Sequence, residues 1–289
     1  MYHKTTGYRM FSIFNYVFMI VAALACLLPL LHLLAQSLSS KIAVSGNMVS
    51  FWPVGFNVDA YVKTFNNSNF IGSMMISIIR TVLGTFISMF ILICAGYALS
   101  KEFRGRNALM WFFIFTMLFS GGLIPSYILI TSLGLKDTIW ALVLPGAFGA
   151  YNLILLVNFF KTIPKALEEA AFIDGASFFH ILWKIYLPLS LPGIATVSLF
   201  IMVGHWNSWF DGILYMSDAS KYPLASFLQT VVVQSNMQSM AMSQSEVAAM
   251  SEQSIKSAQI FVGTLPIILV YPFLQRYFVK GIVMGAVKE

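Results

Sequence analysis

Three groups of residues in this sequence carry chemistry that their apolar surroundings do not. The first is Lys165 to Pro188, KALEEAAFIDGASFFHILWKIYLP, an amphiphilic passage between long apolar segments. Ala166, Leu167, Ala170 and Ala171 recur at helical spacing with Glu168 and Glu169 among them, which predicts a short helix with a small-residue face and an acidic face. Asp174 and Gly175 end it, since glycine tolerates the left-handed backbone of a helix-stopping turn. A second helix then runs from Ala176-Ser177 through Phe178, Phe179, Leu182 and Ile185. A helix, turn and helix of this composition is suited to docking on another protein. The second group is Arg80, alone inside an apolar run. An arginine at the centre of a bilayer costs several kcal/mol, so its place is at the outer boundary with the guanidinium snorkelling to the interface, or along a path through the protein. The third is His205-Trp206-Asn207-Ser208-Trp209-Phe210-Asp211. Trp206 and Trp209 read either as an interfacial aromatic belt or as ring faces that hold a sugar beside Asn207, Ser208 and Asp211; the two readings are compatible.

No catalytic set accompanies them. His3, His32, His180 and His205 are far apart, no H-E-x-x-H occurs, and no glycine-rich loop ends in Gly-Lys-Ser or Gly-Lys-Thr. Cys26 and Cys94, each inside an apolar run, indicate neither a disulfide nor a metal framework. With 58% hydrophobic and 10% charged residues over 289 positions, a soluble core would lack the polar surface to cover it, so the chain is a membrane protein. The net charge of +6 sits in short Lys and Arg clusters beside apolar segments rather than along one polar face, which argues against a nucleic-acid partner.

The order Glu169-Ala170-Ala171, then Gly175 four residues after Ala171, then Ile185, Leu187 and Pro188 resembles the EAA signature of ABC importer permeases, the membrane subunits of ATP-driven uptake systems. The resemblance implies that Leu167, Glu168, Glu169, Ala170, Ala171, Asp174 and Gly175 form a cytoplasmic coupling segment that docks in a cleft of an ATPase subunit. FSGGLIPSY, GHWNSWF and the GAVKE ending resemble the carbohydrate-uptake class, in the subgroup handling oligosaccharides and polysaccharide fragments. It further implies an all-α, six-span, type I importer permease with a second homologous permease, two ATPase subunits that bind ATP and Mg, and an extracytoplasmic solute-binding protein. The chain itself is expected to be no enzyme and to hold no cofactor. Arg80, His205, Trp206, Asn207, Trp209 and Asp211 are the expected substrate-path residues. An acidic oligosaccharide such as alginate is the first expectation, resting on subgroup likeness and on Arg80, with neutral oligosaccharides next.

The elements that must position these residues are apolar runs of about the twenty residues that a bilayer core requires. They are Ile13 to Leu34, Ile71 to Leu99, Ala108 to Ile130, Ile139 to Phe160, Pro192 to Phe210 and Ala258 to Phe278, in one domain. Gly121-Gly122 and Pro125 are able to break the third. Gln36 to Asn69 forms a first outside loop. Asp211 to Ser257 forms the longest, with a helix-compatible stretch from Met237 to Lys256. Assigning loops alternately to the two sides places 11 Lys and Arg on the side of the coupling segment and 5 on the other. The positive-inside rule then puts both termini and the coupling segment in the cytoplasm, and the resemblance implies a multi-pass protein of the bacterial inner membrane. An ion-coupled transporter is the competing class, and it is expected to bury acids near the midplane, where Asp137 and Asp211 at span ends do not lie. An ABC importer for a non-sugar solute is the other alternative.

Overall fold

A computed structural model describes the backbone of residues 6–240 and 246–286, and side chains over 6–233, 253–273 and 275. Among the described residues the chain is helical without strands: α1 (Thr6–Ser37), α2 (Lys41–Ser45), α3 (Asp59–Asn66), α4 (Ser68–Ser100), α5 (Arg106–Leu118), α6 (Leu123–Ser132), α7 (Ile139–Val143), α8 (Ala150–Lys161), α9 (Lys165–Ile173), α10 (Phe178–Ile181), a π-helical turn (Leu182–Tyr186), α11 (Leu187–Leu189), α12 (Leu191–Asn207), α13 (Phe210–Tyr215), a 3-10 turn (Ala219–Lys221), α14 (Leu224–Met240) and α15 (Glu246–Ala286). The expected all-α membrane class is present. The GAVKE ending and the side chains of Arg276 and Lys280 fall partly or wholly outside the described residues.

By packing, the described residues gather into two compact units: 6–70 with 228–240 and 246–264, and 71–227 with 265–286. In the first, the expected first outside loop holds α2 and α3. Ser40 caps α2 by accepting from the Ala43 amide at 3.4 Å. Ser37 and Tyr61 share a hydrogen bond at 2.7 Å, and the Ser39 hydroxyl accepts from the Val54 amide at 3.0 Å.

The second unit carries every predicted site residue. Its core joins Met89, Leu92, Tyr97 and Leu99 of α4, Leu153, Leu156, Val157 and Phe160 of α8, Ile181, Leu182 and Tyr186 beside α10, and Val197 and Ile201 of α12. In lipid, apolar burial does not drive helices together; close backbone approach does, and small residues permit it. A Cβ on Gly193 of α12 would fall 2.3 Å from the Phe159 ring, and one on Gly84 of α4 would fall 2.5 Å from His205 Nε2, so both crossings require glycine.

Among the described residues not every expected span is one continuous helix. Among the described residues three helices are long and apolar enough to cross a membrane, Thr6–Ser37, Ser68–Ser100 and Gln253–Phe273, and two bent pairs raise the number to five. The expected third span breaks between α5 and α6, which meet at 108°. The break lies at Gly122, whose φ of 91° and ψ of 177° only glycine adopts readily, whereas Pro125 sits harmlessly in the first turn of α6. The expected fourth span is interrupted at Pro145-Gly146, leaving α8 with 12 residues, about 18 Å against a hydrocarbon core of about 30 Å. The expected fifth is α12, bent by 82° from Phe178–Leu189 and ended at Asn207. In the expected long outside loop, α14 begins at Leu224, well before Met237, and α15 runs on through Pro266 and Pro272.

Candidate functional site

The hairpin of Lys165 to Pro188 is built as its sequence dictates. After Pro164, α9 runs from Lys165 to Ile173 and ends in a Schellman turn. Gly175 takes φ +79°, its amide donates to the Phe172 carbonyl at 3.0 Å, and the Ala176 amide donates to the Ala171 carbonyl at 2.9 Å. Ser177 then caps α10, its hydroxyl accepting from the His180 amide at 3.3 Å, and the Phe172 and Phe178 rings close the turn edge to face at 5.0 Å. The π-helical turn precedes Pro188. Proline brings no amide hydrogen and its ring crowds the carbonyl four residues back, and a widened turn relieves that crowding.

No residue of α9 is buried. Ala166, Glu169, Ala170 and Ile173 form one open ridge, with Ile173 86% exposed. Leu167 and Phe172 are partly exposed beside it, and Ala171 packs on the core. The two neighbouring glutamates diverge because consecutive helical residues lie about 100° apart. Glu169 is exposed, whereas Glu168 turns inward and accepts from Lys101 Nζ at 2.5 Å and from the Tyr186 hydroxyl at 2.8 Å. Asp174 is the C-cap residue of α9. At the exposed rim Lys165 pairs with Glu102 at 2.6 Å, which raises the lysine pKa and lowers that of the carboxyl. Lys101 is lowered, because burial outweighs the attraction of Glu168. These groups, with Arg106, Phe160 and Lys161, border an open cleft of about 750 Å³.

Of the predicted path residues the structure brings Arg80 and Asp211 into direct contact. Arg80 is 2% exposed and neither snorkels nor faces an open path. Its Nη1 donates to the Ser208 carbonyl at 3.0 Å and to Asp211 Oδ1 at 3.2 Å, and its Nη2 pairs with Asp211 Oδ2. Asp211 also accepts from the Ser208 hydroxyl and the Gly212 amide, both at 2.9 Å. The node extends through Ser77, whose hydroxyl accepts from the Leu224 amide at 2.7 Å, and Ser226, which donates to the Trp209 carbonyl at 2.6 Å. His205 lies buried against Gly84. Trp206 instead borders an apolar groove of about 230 Å³ with Ile78, Val82, Leu199 and Met202, which offers a sugar ring almost no hydrogen-bonding wall. Asn207 is exposed, and Trp209 is 42% exposed with its ring edge to face with Phe210 at 5.6 Å. Among the described residues no group of His, Cys, Asp and Glu has the arrangement of a metal site.

Sequence reasoning missed Lys101, Tyr97 and Tyr186 as partners of the hairpin. The available signal was the spacing of Tyr97 and Lys101, four residues apart at the end of one helix and hence on one face.

Residues 87–284 match the family described as binding-protein-dependent transport system inner membrane component. The chain is 44% identical over 282 residues to the polygalacturonan/rhamnogalacturonan transport system permease protein YtcP of Bacillus subtilis (strain 168), covering 97% of this chain and 99% of that one. It is 42% identical over 287 residues to protein LplC of the same organism, covering 99% and 97%. Among solved structures, a chain from the crystal structure of a bacterial ABC transporter involved in the import of the acidic polysaccharide alginate superposes with a TM-score of 0.85 at 32% identity, covering 96% of this chain and all of that one.

Proposed function

This chain belongs to the binding-protein-dependent transport system inner membrane components, and from that membership together with its similarity to polyuronate transport proteins we propose that it takes acidic oligosaccharides across the bacterial inner membrane while a separate ATPase drives it. It is a permease subunit of an ABC importer and acts with a second permease, two ATPase subunits and an extracytoplasmic binding protein. ATP and Mg belong to the ATPase subunits, and both termini face the cytoplasm, as the charge count supports. The coupling role is supported by the open ridge of Ala166, Glu169, Ala170 and Ile173 on a helix that buries no residue of its own. A helix packed that lightly on its own chain is free to seat in a partner's cleft.

One observation carries the acidic substrate class: the relative at 44% identity is named for polygalacturonan and the matching solved chain belongs to an alginate importer, both polymers of uronic acids. Arg80 lends no support, because Asp211 neutralises it. That pair also removes Asp211 as a free acid for ion coupling, which weakens the secondary-transporter reading.

The test is ATPase activity of the assembled importer in liposomes with its binding protein, across uronate and neutral oligosaccharides. Stimulation by uronate oligosaccharides is expected. Stimulation by neutral ones alone would transfer the assignment to them, and absence of any co-purifying ATPase would refute the coupling role.

A further inference from the structure

The amine of Lys101 leaves the end of α4 and is held on several sides at once. It donates to Glu168 Oε2 at 2.5 Å and to the Tyr186 hydroxyl at 2.7 Å, and that hydroxyl donates to the same glutamate oxygen at 2.8 Å. The ammonium also lies 3.9 Å from the centroid of the Tyr186 ring and 4.4 Å from that of Tyr97. The two rings meet edge to face at 4.9 Å, and Phe160 of α8 packs on Tyr186 at 5.8 Å. A cation between two π faces and a carboxylate is attracted from each side, and its partners belong to different parts of the fold.

Those parts are α4 through Tyr97 and Lys101, α9 through Glu168, and the π-helical turn through Tyr186. Because α9 buries no residue, few contacts hold it sideways, among them Ala171 against the core, the Phe172 ring on Phe178 within the hairpin, the exposed Lys165–Glu102 pair, and this cluster. The exposed pair is the weaker of the two ion pairs, since both its side chains are more than 70% exposed against 21% and 13% for Lys101 and Glu168. Along the chain α9 continues only through the Pro164 entry and the Gly175 turn.

We infer that Lys101 is a positioning residue for energy coupling, fastening α9 to the cytoplasmic end of α4 through Glu168, so that displacement of the docked helix reaches α4 directly as well as along the chain into α12. The inference rests on the docking role given to α9 above. The adjacent glutamates then have different roles, Glu169 facing the partner and Glu168 tying the helix to its own subunit. The burial that lowers the Lys101 pKa fits this role, since a desolvated pair is screened less by salt and water than a surface one.

The test uses the assembled importer in liposomes and reads substrate accumulated per ATP hydrolysed. Lys101→Met keeps the apolar stem and removes the charge and the donors; the ATPase subunits still co-purify, and the ratio falls at least fivefold. Lys101→Arg, which still stacks on the tyrosines and donates to the carboxylate, stays within twofold of wild type. Combining Lys101→Met with Glu168→Gln lowers the ratio no further than the worse single change, as expected for two halves of one contact. Tyr186→Phe removes only the hydroxyl and gives a smaller drop, which keeps the inference testable if Lys101→Met does not assemble. A wild-type ratio in both Lys101→Met and Tyr186→Phe, or a multiplicative loss in the double variant, would overturn it while leaving docking intact. Failure of the wild-type chain to retain any ATPase would overturn the docking role instead.

Discussion

The Arg80–Asp211 pair predicts unequal costs for its two halves. In Asp211→Asn, a guanidinium that is 2% exposed keeps the Ser208 carbonyl and one amide oxygen but loses its counter-charge. Breaking a buried pair from one side costs about 3–5 kcal/mol, and the retained amide oxygen places this change near the lower end, about 3 kcal/mol. That corresponds to about a 100-fold fall in the ratio of folded to unfolded protein. In Arg80→Gln the stranded group is Asp211, which is 23% exposed and still accepts from the Ser208 hydroxyl and the Gly212 amide. Its cost is about 1 kcal/mol. Removing both charges together leaves neither group unpaired, so the double variant is more stable than Asp211→Asn alone. Equilibrium unfolding in mixed detergent micelles measures all three. Equal costs for the single changes, or a double change equal to their sum, would refute the pairing argument. Uptake supplies an independent check: a neutralised Arg80 does not read substrate charge, so Arg80→Gln alters acidic and neutral oligosaccharide uptake by the same factor, and a selective loss of the acidic ones would contradict this.

The exposed ridge of α9 predicts that Ile173→Arg, at a side chain 86% exposed, leaves folding unchanged and lowers ATPase co-purification at least tenfold. Gly175→Ala must hold φ at +79°, which costs an L-residue about 1–2 kcal/mol, and remains functional, whereas Gly175→Pro fixes φ near −65°, removes the donor to the Phe172 carbonyl and abolishes coupled transport in the reconstituted assay. Asp137 holds the loop after α13 by accepting from the Ser217 amide at 2.5 Å and the Ser217 hydroxyl at 2.9 Å, and these bonds lower its pKa below the ordinary 3.8. A depressed carboxylate contributes stability that is complete above the unfolded value and lost as pH falls through the folded one. Acid titration of wild type therefore shows a stability loss below pH 3.8 that is smaller in Asp137→Asn.

The parts of this molecule that were legible in sequence are those set by local backbone chemistry and by composition. The Schellman turn at Gly175 follows from a glycine behind a periodic run, and the membrane class follows from the hydrophobic fraction. The break at Gly122 was half legible: a double glycine marks where a helix can stop, but the 108° turn depends on what packs against α5 and α6. Continuous hydropathy hid the interruption at Pro145-Gly146, because an apolar turn and an apolar helix read alike on a sliding average. Arg80 and Asp211 are 131 positions apart, and no local pattern joins them. One general argument was available: a lone arginine in an apolar helix requires a counter-charge, and the acid beside the fifth span was a candidate for it.

Two of the ion pairs of the second unit, Arg80–Asp211 and Lys101–Glu168, illustrate opposite uses of the same chemistry. Arg80–Asp211 sits among close-packed groups: Gly84 touches His205, and a Cβ on Gly212 would fall 2.1 Å from the Ser226 hydroxyl. There a charge pair is surrounded by contacts that leave no room for a second arrangement, and it fixes the junction of α4, α12 and α13. Lys101–Glu168 lies beside an open cleft, on a helix with no buried residue. A helix that the proposed coupling role requires to move with a partner gains little from apolar packing, because each such contact forfeits dispersion energy once its surfaces separate by as little as about 1 Å. A lysine with three rotatable donors and two ring faces keeps its attraction through small displacements, because charge interactions fall off slowly with distance. The fold therefore places its rigid pair where helices cross and its compliant pair on the lightly packed helix α9.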